Sequence, residues 1–165
     1  MKILVSACLL GENCKYSGGN NYNQAVCDFA RGHQVVPVCP EVLGGLPTPR
    51  CPAEIVQGVV TNKEGINVDR EFRAGAAKAL AIAKENGVEL AILQSRSPSC
   101  GVKEIYDGTF SGTKIPGQGV FAKMLMDEGI RVLDAGELPK IILKAELNFE
   151  RACSKFEMIR YKEIF

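Results

Sequence analysis

Short runs of branched apolar residues recur along the chain, and each is followed by glycine, proline or another turn-forming residue. Runs of this length and composition are typical of buried strands. They predict four strands, at Lys2–Leu9, Gln34–Cys39, Leu90–Leu93 and Arg131–Asp134. Pro37 lies within the second run and favours an edge strand or an irregular strand end, because proline donates no backbone hydrogen bond.

Between these runs the apolar residues recur at helical spacing. The pattern predicts helices at Tyr22–Arg31, Asp69–Asn86 and Gly119–Glu128, and a charged helical tail from Glu137 onward. The clearest of them is alanine-rich, with an aspartate at its head and a glycine after its end. The Gly- and Pro-dense stretch Pro40–Pro52 is predicted to be an ordered loop.

Alternation of strands and helices is typical of parallel βαβ units. We therefore expect an α/β fold, a Rossmann-like doubly wound parallel sheet flanked by helices, with a C-terminal helical extension. The chain shows no internal repeat and no low-complexity linker, so residues 1–165 are expected to form a single domain, with an α/β core at 1–135 and a helical tail at 136–165.

Composition excludes several classes of protein. Of 165 residues, 46% are hydrophobic and 24% charged, and 20 Lys and Arg against 19 Asp and Glu give a net charge of +1. This balance argues against a strongly basic nucleic-acid-binding protein. No apolar run approaches a membrane span. The small residues before Cys8 resemble a lipoprotein signal, but the apolar run Ile3–Val5 is too short for a signal core.

The chain contains 7 cysteines, a high and odd number. We expect a cytoplasmic protein, where thiols are kept reduced, so the cysteines are interpreted as metal ligands or catalytic groups before disulfides. In an open α/β sheet, ligands bind beyond the carboxyl ends of the strands. Cys8, Cys39 and Cys100 fall at or just after three predicted strand ends. They could converge on one site, although simple packing of buried thiols is an equally weighted alternative.

The remaining cysteines carry weaker signals. Cys27, on a predicted helix, and Cys153, in the tail, are interpreted as packing residues, whereas Cys14 and Cys51 lie in loops near proposed ligands and stay open. No Cys-x-x-Cys pair is present, and His33 precedes its strand, at the opposite end of the sheet, so a compact zinc site is disfavoured. The glycine loops lack the spacing of nucleotide-binding motifs.

At these residues the chain resembles the thiouracil desulfurase family, long described as a domain of unknown function. The resemblance is carried, in order, by residues 5–11 (VSACLLG), 14–16 (CKY) with 18–19 (GG), 37–50 (PVCPEVLGGLPTPR), 97–101 (SPSCG) and 106–112 (YDGTFSG). The long second motif is highly specific, and the ordered set is more so.

The resemblance implies a 4Fe–4S cluster held by Cys8, Cys39 and Cys100, with one iron left open, that removes sulfur from small thiolated compounds such as thiouracil without net redox chemistry. Glu41 and Ser97 match the family's proposed catalytic positions. The implied hypothesis is that an open iron binds the thiocarbonyl sulfur while Glu41 transfers protons and Ser97 relays a proton or orients the substrate. The structural alternatives are that Glu41 caps the following turn and that Ser97 starts a Ser-Pro turn.

One position departs from the family pattern. Cys51 stands where the family usually has another residue, and a fourth thiolate on the cluster would favour electron transfer over catalysis. Arg50 and Arg96 either contact substrate carbonyls or an anion, or are solvated at the surface or paired with a carboxylate. Tyr16 and Tyr106 either stack on a heterocycle or pack in the ordinary way.

Two other functions compete with the desulfidase. One is a hydro-lyase with the same type of cluster, and the other is a non-enzymatic module that senses iron or oxidants. The expected partner is a small thiolated molecule, with no nucleic acid and no membrane; the physiological substrate and the oligomeric state do not follow from the sequence.

Overall fold

The computed structural model describes residues 1–149. Its elements in chain order are β1 (Lys2–Ser6), a 3-10 helix (Ala7–Leu10), α1 (Gln24–Ala30), β2 (Gln34–Val38), α2 (Pro40–Leu43), β3 (Ala53–Val56), β4 (Val59–Asn62), α3 (Asp69–Glu85), β5 (Leu90–Leu93), β6 (Glu104–Tyr106), β7 (Lys114–Pro116), α4 (Val120–Asp127), β8 (Arg131–Asp134) and a second 3-10 helix (Ala135–Glu137), after which residues 138–149 are helical.

Four strands form one sheet in the order β2-β1-β5-β8, and each neighbouring pair is parallel. All four residues of β5 and all but the first of β1 are buried, as expected for strands covered on both faces. The four predicted strands and the parallel α/β class are confirmed. Pro37 lies in β2, which is an edge strand of the described sheet.

The two faces of the sheet carry separate apolar cores, because successive residues of a strand point to opposite sides. Leu4 of β1 packs with the alanine face of α3 and with α4. Ile3 and Val5, the neighbours of Leu4, pack with α1 and with Leu138 of the C-terminal helix. The sheet is thus fixed from both sides, and its strand ends are held in place.

Direct backbone packing fixes α2. A Cβ on Gly75 of α3 would lie 1.8 Å from the carbonyl oxygen of Pro40, and one on Gly44 would lie 2.0 Å from that of Glu71. Neither position can hold a side chain at this approach. Helix α2, which begins directly after Cys39 and carries Glu41 in its first turn, is therefore held tightly against α3.

The structure corrects several boundaries. The stretch Pro40–Pro52 is not loop throughout, since it begins with the single turn α2, and β1 ends at Ser6 because the chain turns into a 3-10 helix that contains Cys8. The hairpins β3-β4 and β6-β7, which lie outside the main sheet, were not predicted. Strands β6 and β7 have only three residues each, and β7 is exposed throughout.

The C-terminal helix was predicted from residue 136, and residues 138–149 are helical. The rest of that prediction, together with Cys153, lies outside the described residues. In the described part of the chain, no helix has the length and apolar character needed to cross a membrane.

Candidate active site

A cavity of about 720 Å³ opens at the carboxyl ends of β2, β1 and β5. Cys8 reaches it from the 3-10 helix after β1, Cys39 from the residue after β2, and Cys100 from the loop after β5. Because these strands are neighbours in a parallel sheet, three residues far apart in sequence line one wall. The structure brings together the three cysteines that the sequence placed at strand ends.

The environment of two of these thiols favours the neutral form. Cys8 and Cys100 are 9% and 4% exposed. Burial raises the pKa of Cys100 to about 12 and also raises that of Cys8, and the nearby Glu41 carboxylate acts in the same direction on both. The Asn21 side-chain amide opposes this for Cys8, since its Nδ2 donates to Sγ at 3.5 Å. A metal centre bound here would have to displace thiol protons.

Two further cysteines line the same cavity, Cys14 and Cys51. Burial, and next the neighbouring Cys39 and Cys8, raise the pKa of Cys14 to about 12. The Cys39 thiol lies 3.8 Å from the Cys14 carbonyl oxygen, so the loop that carries Cys14 packs against a proposed ligand. Both loop cysteines, which the sequence left open, are thus residues of the site wall.

Glu41 and Arg50 form a buried ion pair on the cavity wall. Glu41 Oε2 accepts hydrogen bonds from Arg50 Nε at 2.9 Å and Nη2 at 2.5 Å, and the two side chains are 13% and 7% exposed. Arg50 also donates to the carbonyls of Cys14 at 2.9 Å and Pro47 at 3.2 Å. Of the two roles considered for Arg50, the structure shows pairing with a carboxylate.

The second oxygen of Glu41 faces the loop that carries Cys100. Oε1 accepts a hydrogen bond from Ser99 Oγ at 2.8 Å and has a longer contact of 3.4 Å with Ser97 Oγ. Ser97 Oγ in turn accepts from the backbone N–H groups of Ser99 and Cys100, both at 3.1 Å. Ser97 therefore shapes the turn, as its structural alternative predicted, and Ser99 makes the shorter bond to Glu41.

The amino end of α4 holds this loop in place. Its first N–H groups donate to loop carbonyls, with Val120 bonded to Pro98 and Phe121 to Ser99, each at 2.9 Å. A Cβ on Gly119 would lie 2.5 Å from the Ser99 carbonyl group, so the approach needs a glycine at this position. The loop geometry is therefore set by the backbone.

Sequence reasoning missed Asn21 and Ser99. For Ser99 a signal was available, because the residue directly precedes a proposed ligand in the same turn. For Asn21 no local signal existed. Arg96 is 45% exposed and makes only a long contact of 3.9 Å with Glu104, so the structure does not bring it into the Glu41 network.

The donor set fits an iron–sulfur cluster better than a single ion. Among residues 1–149, no three His, Cys, Asp or Glu side chains gather closely enough to bind one ion. A 4Fe–4S cluster binds each thiolate through a different iron, so its ligands need not meet at one point. His33 is remote from the thiols, with its ring stacked on Phe29 at a centroid distance of 4.6 Å.

Buried thiols and an ion-paired carboxylate thus meet at the carboxyl edge of an open parallel α/β sheet, which is where enzymes of this fold class bind their ligands. Residues 3–137 match the 2-thiouracil desulfurase family, and the chain belongs to this family. The family and the desulfidase class expected from the motifs are therefore confirmed.

Two known proteins are similar over most of the chain. The uncharacterized protein YbbK of Bacillus subtilis (strain 168) is 42% identical over 150 residues, which cover 85% of this chain and 99% of that protein. The solved structure of the 4Fe-4S-dependent thiouracil desulfidase TudS superposes on this chain with a TM-score of 0.79 at 38% sequence identity. The match covers 88% of this chain and 98% of the TudS chain.

Proposed function

We propose that this chain is an iron–sulfur-dependent desulfidase that hydrolyses a thiocarbonyl group of a small thiouracil-like compound. In the overall reaction C=S and water give C=O and hydrogen sulfide, with no net redox change. Cys8, Cys39 and Cys100 would hold a 4Fe–4S cluster and leave one iron without a protein ligand. The observation that carries the proposal is the lining of one cavity by these thiols and by Glu41.

When bound, the cluster would supply an electron-accepting iron with affinity for soft sulfur. Glu41 would take the proton of the water that attacks the thiocarbonyl carbon. Its carboxylate is held by donors on both oxygens, so its orientation is fixed before substrate arrives. General base catalysis of this kind contributes about 10²–10⁴-fold to the rate. Ser97 would orient this network through its contacts with the turn and with Glu41.

The rest of the cavity suits a flat ring. Tyr16, Tyr106 and Phe110 all line it. Aromatic side chains offer apolar faces on which a planar heterocycle can stack. We therefore propose a thiolated heterocycle as the substrate class, bound with its thiocarbonyl group toward the three cysteines.

The proposal places the protein in the cytoplasm as a single α/β domain, with no nucleic-acid or membrane partner. Its support is the chemistry of the cysteines. The six that the structure describes are free, as expected in a compartment that keeps thiols reduced.

Cys51 supports a second candidate function. Because it lines the cavity beside the proposed ligands, its thiolate could complete a four-cysteine cluster. A closed cluster would suit electron transfer or oxidant sensing. A Cys51→Ser variant distinguishes the two, since an open-iron enzyme keeps its cluster and activity whereas a four-thiolate cluster loses one ligand.

The test is anaerobic reconstitution with iron and sulfide, followed by an assay of sulfide and uracil released from thiouracil. Saturable, stoichiometric release of both products supports the desulfidase. A fully loaded protein that releases neither product contradicts it. Sulfide release also separates the desulfidase from a hydro-lyase, which would release water from an oxygen substrate.

A further inference from the structure

The hydrogen bonds around Ser97 have a fixed direction. A serine hydroxyl has one proton to donate and two lone pairs that accept. The Ser97 oxygen accepts from the N–H groups of Ser99 and Cys100, which occupies both lone pairs. In the 2.9 Å contact between the two serine hydroxyls, Ser97 is therefore the donor and Ser99 the acceptor.

This direction determines where the Ser99 proton goes. With its oxygen accepting from Ser97, the hydroxyl of Ser99 donates to Glu41 Oε1 at 2.8 Å, which is much shorter than its 3.6 Å contact with Cys100 Sγ. Ser99 is 1% exposed, so water does not compete for this bond. The chain of donation runs from Ser97 to Ser99 to Glu41.

The number of occupied lone pairs also distinguishes the two oxygens of Glu41. Oε2 accepts two N–H groups of Arg50, which uses both of its lone pairs. Oε1 accepts one short bond from Ser99, and the contact with Ser97 at 3.4 Å is not a donation, because that proton is committed to Ser99. Oε1 therefore keeps one lone pair free to accept a proton.

We infer that Ser99 is a positioning residue that aims the reactive oxygen of Glu41, Oε1, at the water to be deprotonated. The inference rests on the proposed function and assigns a role to a residue other than Ser97. Ser99 acts through Glu41 and need not touch the substrate. Arg50 holds one side of the carboxylate and Ser99 the other, so removal of the serine hydroxyl frees Oε1 to rotate.

The first test is steady-state kinetics of reconstituted Ser99→Ala. We expect kcat per cluster to fall about 10–100-fold, as for other groups that orient a reacting side chain, with KM within about threefold and iron content unchanged. The matched control is Ser111→Ala, which removes an exposed serine hydroxyl that does not line the cavity and is bonded to the hydroxyls of Thr109 at 2.6 Å and Thr113 at 2.8 Å. We expect its kcat to stay within about twofold of the wild type.

The second test needs no cluster and no turnover. Loss of the bond to Oε1 should change the carboxylate stretching bands in the infrared difference spectrum between the wild-type and Ser99→Ala apoproteins. The same serine substitution made in a Glu41→Gln background should give no carboxylate difference. A serine with a merely structural role would give the same difference spectrum in the wild-type and Glu41→Gln backgrounds.

Two results overturn the inference. One is an unchanged kcat in Ser99→Ala. The other is an infrared difference spectrum for the serine substitution that shows no carboxylate band, or that shows the same band in the Glu41→Gln background. A wild type that loads its cluster and releases no sulfide would contradict the proposed function instead, and the infrared result would still report on the Glu41 contact. If the wild type is active and Ser99→Ala is equally active, only the role of Ser99 is contradicted.

Discussion

The two edges of the central sheet carry polar residues of different kinds. At the amino edge, Arg31, His33 and Glu89 border a shallow depression that is open to solvent. At the carboxyl edge, the thiols and the Glu41–Arg50 pair are largely buried and face a cavity. The same strands build both edges, so the sheet alone does not explain the difference.

The difference lies in what covers each edge. Loops, α2 and the two hairpins enclose the carboxyl edge, so its charges and thiols are desolvated and held by specific partners. Desolvated, partnered groups are typical of functional sites, whereas exposed charges interact weakly. The chemistry of the carboxyl edge is therefore set by the segments that follow the strands.

The largest expected effect separates the thiols of the carboxyl edge from a thiol elsewhere. Changing Cys8, Cys39 or Cys100 to serine should abolish the full cluster absorbance and the activity, because each would bind one iron. The control is Cys27→Ser in α1, whose thiol does not line the cavity and lies 3.8 Å from the carbonyl oxygen of Leu9. Iron content and the visible spectrum after reconstitution check this, and a full cluster in any of the three ligand variants removes that ligand from the assignment.

Next in size is the expected effect of Glu41→Gln. The variant should keep its cluster and lose about 10²–10⁴-fold in kcat, because the amide cannot accept the water proton. Glu89→Gln, at the amino edge, changes an exposed carboxylate in the same way and should leave kcat unchanged. Unimpaired turnover in Glu41→Gln would exclude it from the mechanism.

Arg50→Met tests whether a buried ion pair contributes more to the free energy of unfolding than an exposed one. Removal of Arg50 leaves the Glu41 carboxylate, only 13% exposed, without its cation, and we expect a loss of about 3–5 kcal/mol in the free energy of unfolding. Lys123→Met removes one partner of a pair whose side chains are 65% and 64% exposed, with an expected loss below about 1 kcal/mol. Urea denaturation of the apoproteins measures both, and equal losses would contradict the contrast.

The last prediction concerns the response of the apoprotein to alkali. Burial raises the pKa of Cys100 from its ordinary value of 9.0 to about 12, so between these values the folded chain holds a proton that the unfolded chain has lost. The unfolding free energy should therefore fall as pH rises through this window, by at most about 1.4 kcal/mol per unit for this thiol.

Substitution of the thiol checks that assignment. Cys100→Ala should weaken the alkaline slope of the unfolding free energy, while Cys27→Ala should leave it as in the wild type. A slope that is identical in all three apoproteins would show that Cys100 does not titrate with folding.

The sequence predicted the features that local pattern controls. Each strand of the sheet is a short apolar run, and α3 has a continuous alanine-rich face, so both were recognisable. The positions of Cys8, Cys39 and Cys100 followed from topology, because parallel strands bring their carboxyl ends to one edge.

The features that escaped prediction depend on contacts distant in sequence. Ser99 meets Glu41 across 58 positions, and Arg50 meets the Cys14 carbonyl across 36. No periodicity encodes such bonds. Helix α2 is a single turn stabilised by the close approach of Gly44 to α3, which a glycine in the sequence does not distinguish from a loop.

In the proposed function, three thiolates would leave one iron open to the substrate's sulfur. The most direct measurement is the Mössbauer spectrum of the protein reconstituted with ⁵⁷Fe, recorded with and without thiouracil. We predict that one iron of the four changes its isomer shift when thiouracil is added, and that Cys51→Ser gives the same result. A spectrum in which all four irons are unaffected by thiouracil would contradict the account.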